Sequence, residues 1–442
     1  MPDPARTVAL HLLEAVETQP DSFDSLLESR PVRDLDERDR RFVRQLVLGT
    51  LRWQGRLDWI LDQFTRRPLA QTPPRLRQIL RLGAYQLLWL DRVPERAAVH
   101  SSVELAKRFA PGGKALINAV LRQVVRRSAD ISYPPRQSDL TGHLAAFQSH
   151  PRWLIERWLK NWGESATEAL LQAANEPSTT FLRLNPLRTD SQRLAQQLAT
   201  AGVQVEAAGP LSGFFAAQSG GNLFSSPAYR QGLFQIQDIN AGLPVALLDP
   251  QPGERILDMC SAPGGKATQI AERMGDSGLV LAADRSPQRL RRVGDNARRL
   301  GLNCVHPLAW DARREGLGGF HRVLADVPCT GTGTLGRRPD ARWRKRPEQL
   351  AQLTGLQDQL LHRAFACLRP GGVLVYSTCS LECEENAERV ERFLAAEPRA
   401  RLETAEPFFP GHLWAQRFVE TRPGREPGDG CFAARIIHRG NA

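Results

Sequence analysis

Two cysteines set beside one carboxylate are the most reactive grouping in this chain of 442 residues. The first lies in Asp326-Val327-Pro328-Cys329-Thr330-Gly331-Thr332-Gly333 and the second in Tyr376-Ser377-Thr378-Cys379-Ser380. Each follows a short apolar run, Val323-Leu324-Ala325 or Val373-Leu374-Val375, that reads as a buried strand. Both thiols are therefore expected at strand ends on one edge of a sheet, where open α/β sheets bind their ligands. A thiolate there is a nucleophile, and the neighbouring carboxylate can hydrogen-bond a substrate edge. Residue type alone leaves simple packing open, because free cysteine is among the most often buried residues.

A second grouping has the chemistry of a cofactor site. Arg255-Ile256-Leu257-Asp258 reads as a strand that runs into Met259-Cys260-Ser261-Ala262-Pro263-Gly264-Gly265-Lys266 and then a helix from Ala267. The glycines let backbone pass close to a ligand, and the helix start favours a negative group. This is not a Walker A loop, which needs Gly where Cys260 stands and Ser or Thr where Ala267 stands, nor is it GxGxxG. The next strand, Leu279-Val280-Leu281-Ala282-Ala283, ends at Asp284, about twenty residues after the glycines, where a ribose acceptor is expected. A helix from Arg289 to Leu300, a turn at Gly301 and a strand at Val305 lead to Asp311, a position suited to adenine. These points imply S-adenosylmethionine or a dinucleotide, and the missing GxGxxG favours S-adenosyl-L-methionine. Lys266 either orients the nucleophile and favours its thiolate or is a solvated lysine at a helix start.

The elements that must position these residues follow from pattern and composition. Hydrophobic residues make up 41% of the chain, enough for more than one core. From Ala5 to about Arg127 the pattern is helical, with Phe42, Val43, Leu46, Val47 and Leu51 on one face and Leu76, Ile79, Leu80, Leu87 and Leu90 on another. Pro31, Pro73-Pro74, Pro94 and Pro111-Gly112-Gly113 mark the joints. Residues 1–128 are expected to form an all-α domain, 129–175 a linker and helical connector with a short aromatic helix at Trp153 to Trp162, 176–232 a small α+β module, and 233–442 an α/β domain. In that last part strand and helix alternate, which predicts a parallel sheet covered by helices.

Lys plus Arg number 59 against 48 Asp plus Glu, giving +11, and Arg greatly outnumbers Lys. That balance fits nucleic acid, since a guanidinium donates bidentately to phosphate. Lys114, Arg122, Arg126 and Arg127 form either a solvated helix face or an RNA contact, whereas the run Arg337, Arg338, Arg342, Arg344, Lys345 and Arg346 with Trp343 is expected to grip an RNA backbone. Seven cysteines, none before Cys260, do not form a disulfide framework. The N-terminus lacks a signal pattern and no apolar run approaches the roughly 18 residues of a membrane span, so a cytoplasmic protein without a membrane is expected, with a monomer as the default state.

The motifs at 260–266, 326–331 and 378–380, the last followed by Glu385-Asn386, resemble those of RNA cytosine-C5 methyltransferases of the Nol1/Nop2/Sun group. The helical N-terminal part is similar to the antiterminator NusB, so the resemblance covers nearly the whole chain. It implies a NusB-like RNA-binding domain, a small α+β module and a Rossmann-like methyltransferase domain. The reaction it implies is methylation of carbon 5 of a specific, hairpin-loop or otherwise unstacked cytosine in 16S rRNA. By resemblance Cys379 is the nucleophile that adds to carbon 6, Cys329 assists release and Asp326 binds the cytosine edge. The implied cofactor-binding residues are Cys260, Ser261, Ala262, Pro263, Gly264, Gly265, Lys266, Asp284, Asp311 and Asp326. The chain departs from the family pattern at Val327 and Thr330, at Arg338 where His is frequent, and at Cys431 where Phe is usual, which leaves the packing there in question.

Three rivals differ in what they require. A zinc site would gather Cys329, Cys367, Cys379 and Cys383, but no CxxC pair exists and no metal is expected. A non-catalytic RNA-binding factor would have no use for Asp326 beside two thiols. Methylation of adenine N6 would need neither cysteine.

Overall fold

The computed structural model describes residues 3–18, 23–220 and 223–440. It divides into two units, Met1–Glu176 with Arg338–Lys345, and Pro177–Arg337 with Arg346–Ala442.

The first unit is helical: α1 (Pro4–Thr18), α2 (Phe23–Leu27), α3 (Arg30–Arg33), α4 (Glu37–Arg52), α5 (Gln54–Asp62), α6 (Pro74–Trp89), α7 (Glu95–Phe109), α8 (Lys114–Arg126), α9 (Leu140–Phe147) and α10 (Arg152–Asn175). The apolar stripes become its core, with Val43, Leu46, Val47, Ile79 and Leu80 fully buried. Each such side chain contributes about 1.5–3 kcal/mol on burial. The Asp36 carboxylate accepts from Asp39 N at 2.8 Å and starts α4, while Pro74 starts α6 where a missing N–H costs nothing. The aromatic segment continues well beyond Trp162 and bends at Gly163, whose φ of 77° lies outside helical space, and Trp158 is core.

The second unit begins with β1 (Thr180–Leu184), α11 (Ser191–Thr200), β2 (Val203–Ala207), β3 (Phe214–Gly220), α12 (Pro227–Arg230) and β4 (Phe234–Ile236). These strands form an antiparallel sheet in the order β2-β3-β1-β4. The start of the α/β domain drawn at 233 falls just before β4, which pairs with β1 and completes this small sheet. Next come α13 (Leu243–Leu248), β5 (Arg255–Asp258), α14 (Gly265–Arg273), β6 (Leu279–Asp284), α15 (Pro287–Leu300), β7 (Val305–Ala309), β8 (Phe320–Asp326), α16 (Pro339–Arg342), α17 (Pro347–Ala366), β9 (Leu368–Thr378), α18 (Ala387–Ala396), β10 (Ala400–Glu403), β11 (Val419–Thr421) and β12 (Cys431–His438).

The large sheet runs β10-β12-β9-β8-β5-β6-β7, with β11 on β12. Strands β5 to β9 are mutually parallel, but β12 runs antiparallel to β9 and carries β10 and β11 antiparallel to itself, so the sheet is mixed rather than wholly parallel. Phe432, Ala433, Ala434 and Ile436 are buried like the parallel neighbours, and burial does not record direction. The strand order reverses at β5, between β6 and β8, which opens a crevice at the carboxyl ends of the strands.

Two members of the basic run after β8, Arg342 and Trp343, serve packing rather than the expected RNA grip. The segment Arg338–Lys345 belongs to the helical unit. Arg342 is 0% exposed, and its guanidinium donates to Arg52 O and Ser149 O at 3.0 Å, to Asn175 Oδ1 at 2.8 Å and to Ala174 O at 2.9 Å. Trp343 Nε1 donates to Leu51 O at 2.9 Å. Leu51 and Arg52 end α4, and Ala174 and Asn175 end α10, where the last carbonyls lack helical partners and the helix dipole attracts a cation. Arg338 and Arg344 pair with the buried Asp340. Arg342→Ala orphans these carbonyls and opens a cavity, so it should lower stability by about 3 kcal/mol or more. An unchanged urea midpoint would contradict this assignment.

Candidate active site

Three strands of the crevice end alike, β5 at Asp258, β6 at Asp284 and β8 at Asp326. Between Asp258 and α14 the chain makes the glycine turn. Gly264 has φ 101°, and a Cβ there would sit 3.0 Å from the backbone of Val293, so only glycine fits. Ser261 N donates to Ala283 O at 2.8 Å and Ala262 N to Asp284 Oδ2 at 3.3 Å, which fixes the turn against β6. Asp284 is 4% exposed, and its other oxygen accepts from Ser286 N at 2.9 Å. Cys260 lies in the turn beside three carboxylates, and burial and then Asp258 push its thiol far up, which keeps it protonated. Pro263 is exposed, whereas Ala262 is buried. Asp311 follows β7, next to Trp310 whose N donates to Asp284 O at 3.1 Å, and Arg313 Nη2 reaches its carboxyl at 2.6 Å and holds it well below the usual range.

Asp258 is a residue that the sequence patterns did not single out. Its carboxylate is sealed from solvent and neither oxygen has a well-formed hydrogen bond, although Ser261 lies beside it. Burial, followed by repulsion from Asp326, pushes it up to about 7 from an ordinary 3.8. The apolar run closed by Asp, repeated in β6 and β8, was the signal that could have marked it.

The raised value has a consequence with a definite sign. The folded chain keeps this proton at pH values where an unfolded chain has lost it, so stability falls as pH rises from about 4 to about 7 and is level above that. Asp258→Asn removes the penalty. It should raise the unfolding free energy near pH 8 by about 4 kcal/mol at most, read from urea denaturation, with the gain vanishing towards pH 4. An equal gain at both pH values would refute the buried charge as its cause.

Lys266 links the turn to the cysteines. Its Nζ lies 2.7 Å from Asp326 Oδ2, and Ser377 Oγ donates to Asp326 Oδ1 at 2.8 Å. Burial works against the ammonium, but Asp326 outweighs it and raises its proton affinity, so Lys266 stays charged, with Cys431 and Cys379 in its field. Its role is thus an ion pair rather than a solvated lysine.

Strands β8 and β9 are parallel neighbours, with Asp326 opposite Ser377, and their continuations bring Cys329 Sγ to 3.4 Å from Cys379 Sγ. The hydrogen bond to Cys379, then burial, pushes the Cys329 thiol well above its ordinary value. Gly333 N donates to Cys379 O at 2.9 Å and fastens one loop to the other. The pair, Asp326, Lys266 and the glycine turn thus share one end of the sheet. All seven cysteines are free. Among the described residues no group of three or more His, Cys, Asp or Glu could hold a metal ion, and no helix is long and apolar enough to cross a membrane.

Residues 245–437 match the family described as 16S rRNA methyltransferase RsmB/F, residues 3–126 the NusB family, and residues 150–212 the ferredoxin-like domain of RsmF/B-like methyltransferases. A probable ribosomal RNA small subunit methyltransferase B of Synechocystis sp. is 39% identical over 381 residues, covering 84% of each chain. The chain belongs to this 16S rRNA methyltransferase family. A ribosomal RNA small subunit methyltransferase B of Citrobacter koseri is 33% identical over 98% of this chain and 99% of its own. Among solved structures, the protein PH0851 superposes with a TM-score of 0.83 at 26% identity over 99% of both chains, and a methyltransferase homologue from Pyrococcus horikoshii with 0.58 at 28% identity over 66% of this chain and 97% of its own.

Members of this family take their methyl group from S-adenosylmethionine, and the site fits it. Its ammonium and ribose hydroxyls are donors, and this sheet edge offers Asp258, buried without a well-formed hydrogen bond, and the strand-end carboxylate of Asp284 above a turn too tight for a side chain.

Proposed function

We propose that the methylated atom is carbon 5 of a cytosine in 16S rRNA and that the reaction passes through a covalent adduct between Cys379 and carbon 6 of the base. The observation that carries this reading is the pair of thiols 3.4 Å apart beside Asp326, a grouping that methylation of an exocyclic nitrogen would not need. Carbon 5 of cytosine is a weak nucleophile, and addition of a thiolate at carbon 6 turns the ring into an enamine that is electron-rich at carbon 5. Bound S-adenosylmethionine supplies an electrophilic methyl group.

The two thiols divide the work. The hydrogen bond shared with Cys379, and then burial, hold the Cys329 proton on its sulfur, which leaves Cys379 for the attack. Once Cys379 is bonded to carbon 6 it presents no anion to Cys329, which can then release its proton to solvent. As the thiolate, Cys329 takes the carbon 5 proton, after which the bond to Cys379 breaks and the base leaves. Asp326 is held in orientation by Lys266 and Ser377, with lone pairs left for the cytosine amino edge. One preorganised contact of this kind is worth about 3 kcal/mol in the transition state. The base must leave any stack to enter, which suits a hairpin loop.

The test is to incubate 16S rRNA lacking the modification with the protein and labelled cofactor and to identify the labelled nucleoside. 5-Methylcytosine is expected, and label on an exocyclic nitrogen or on adenine would overturn the reading.

A further inference from the structure

Glu385 joins the two backbone segments that carry the cysteines. Its side chain is 0% exposed and closes the single turn Cys383–Glu385. Oε1 accepts from Thr330 N at 2.8 Å and from Gln357 Nε2 at 2.9 Å, and Oε2 accepts from the hydroxyls of Thr330 and Ser380. Thr330 follows Cys329 and Ser380 follows Cys379, so one carboxylate grips the residue next to each thiol. Gln357 also donates to Pro328 O at 2.9 Å, the residue before Cys329. The turn itself is pinned by Tyr376 OH, which donates to Glu385 O at 2.7 Å. A buried carboxylate is costly unless its lone pairs are filled, and here four donors fill them.

We propose that Glu385 is a positioning residue that sets the spacing of Cys329 and Cys379 and so the division between attack and release. The proposal rests on the covalent mechanism, in which the two thiols have separate roles. A displacement of about 1 Å at a reacting group can cost on the order of a hundredfold in rate. The same charge stands near Cys329 and disfavours a second anion there, adding to the larger effects of the bond to Cys379 and of burial.

Glu385→Gln keeps the volume and one acceptor oxygen but removes the charge and puts an amide before the two hydroxyls. We expect kcat to fall about tenfold to a hundredfold with KM for S-adenosylmethionine unchanged. In the same variant without RNA, the iodoacetamide labelling ratio of Cys379 to Cys329, followed against pH by peptide mass spectrometry, should fall at least about threefold as Cys329 ionises more easily. Thr330→Val removes one hydroxyl and leaves the charge, so it should lower kcat less and leave the labelling profile in place. A folded Glu385→Gln protein whose kcat and labelling profile match the parent overturns the proposal. If that variant does not fold, Thr330→Val with parental kcat overturns it. Labelling needs no RNA, so a changed ratio would stand even if Cys379 proved dispensable for methylation.

Discussion

A Cys379→Ala protein is expected to transfer methyl groups at least about a thousandfold more slowly than the parent while binding S-adenosylmethionine as before. The size of the loss follows from the chemistry. Without a bond at carbon 6 the ring has no route to electron density at carbon 5, and no other group at the site replaces that step. Cofactor affinity should hold because Asp258, Asp284 and the turn through Gly264 are untouched. Initial rates with labelled cofactor and calorimetric binding separate the two quantities. Activity retained in full would exclude the covalent mechanism.

The companion substitution fails at the opposite end of the cycle. Cys329→Ala leaves the attacking sulfur in place but removes the thiol 3.4 Å from it. Methylated RNA should then remain bonded to Cys379, and multiple turnover should fall by about a hundredfold or more while the first methyl transfer still occurs. A denaturing gel reads this directly as a protein band carrying RNA, which should vanish when Cys379 is also replaced. Normal turnover with no such band would remove Cys329 from the release step.

Where the sequence was readable, the physics was local. Buried parallel strands leave continuous apolar runs, and β5, β6, β8 and β9 each close theirs at a polar or reactive residue, so their edge could be placed before any contact was known. What stayed hidden depended on distant partners. The direction of β12 is set by pairing with β9, and its own residues look like those of a parallel strand. Lys266 could be a solvated lysine until Asp326, far along the chain, supplies its counter-charge. Asp258 carries no local mark of its missing partners. Arg342 was misread because hydrated and buried guanidiniums are identical in sequence, and only the ends of α4 and α10 decide between them.

That last residue bears on how such a protein can be inherited. Arg338–Lys345 is encoded between two strands of the methyltransferase sheet yet folds as part of the helical unit. A gene fragment ending at residue 176 would therefore code for helices whose closing carbonyls have lost their guanidinium, and a methyltransferase gene cut free of them would still encode the orphaned peg. The segment up to residue 176 therefore does not carry all the parts of its own fold, and its helix ends are completed by a peptide that the chain makes much later.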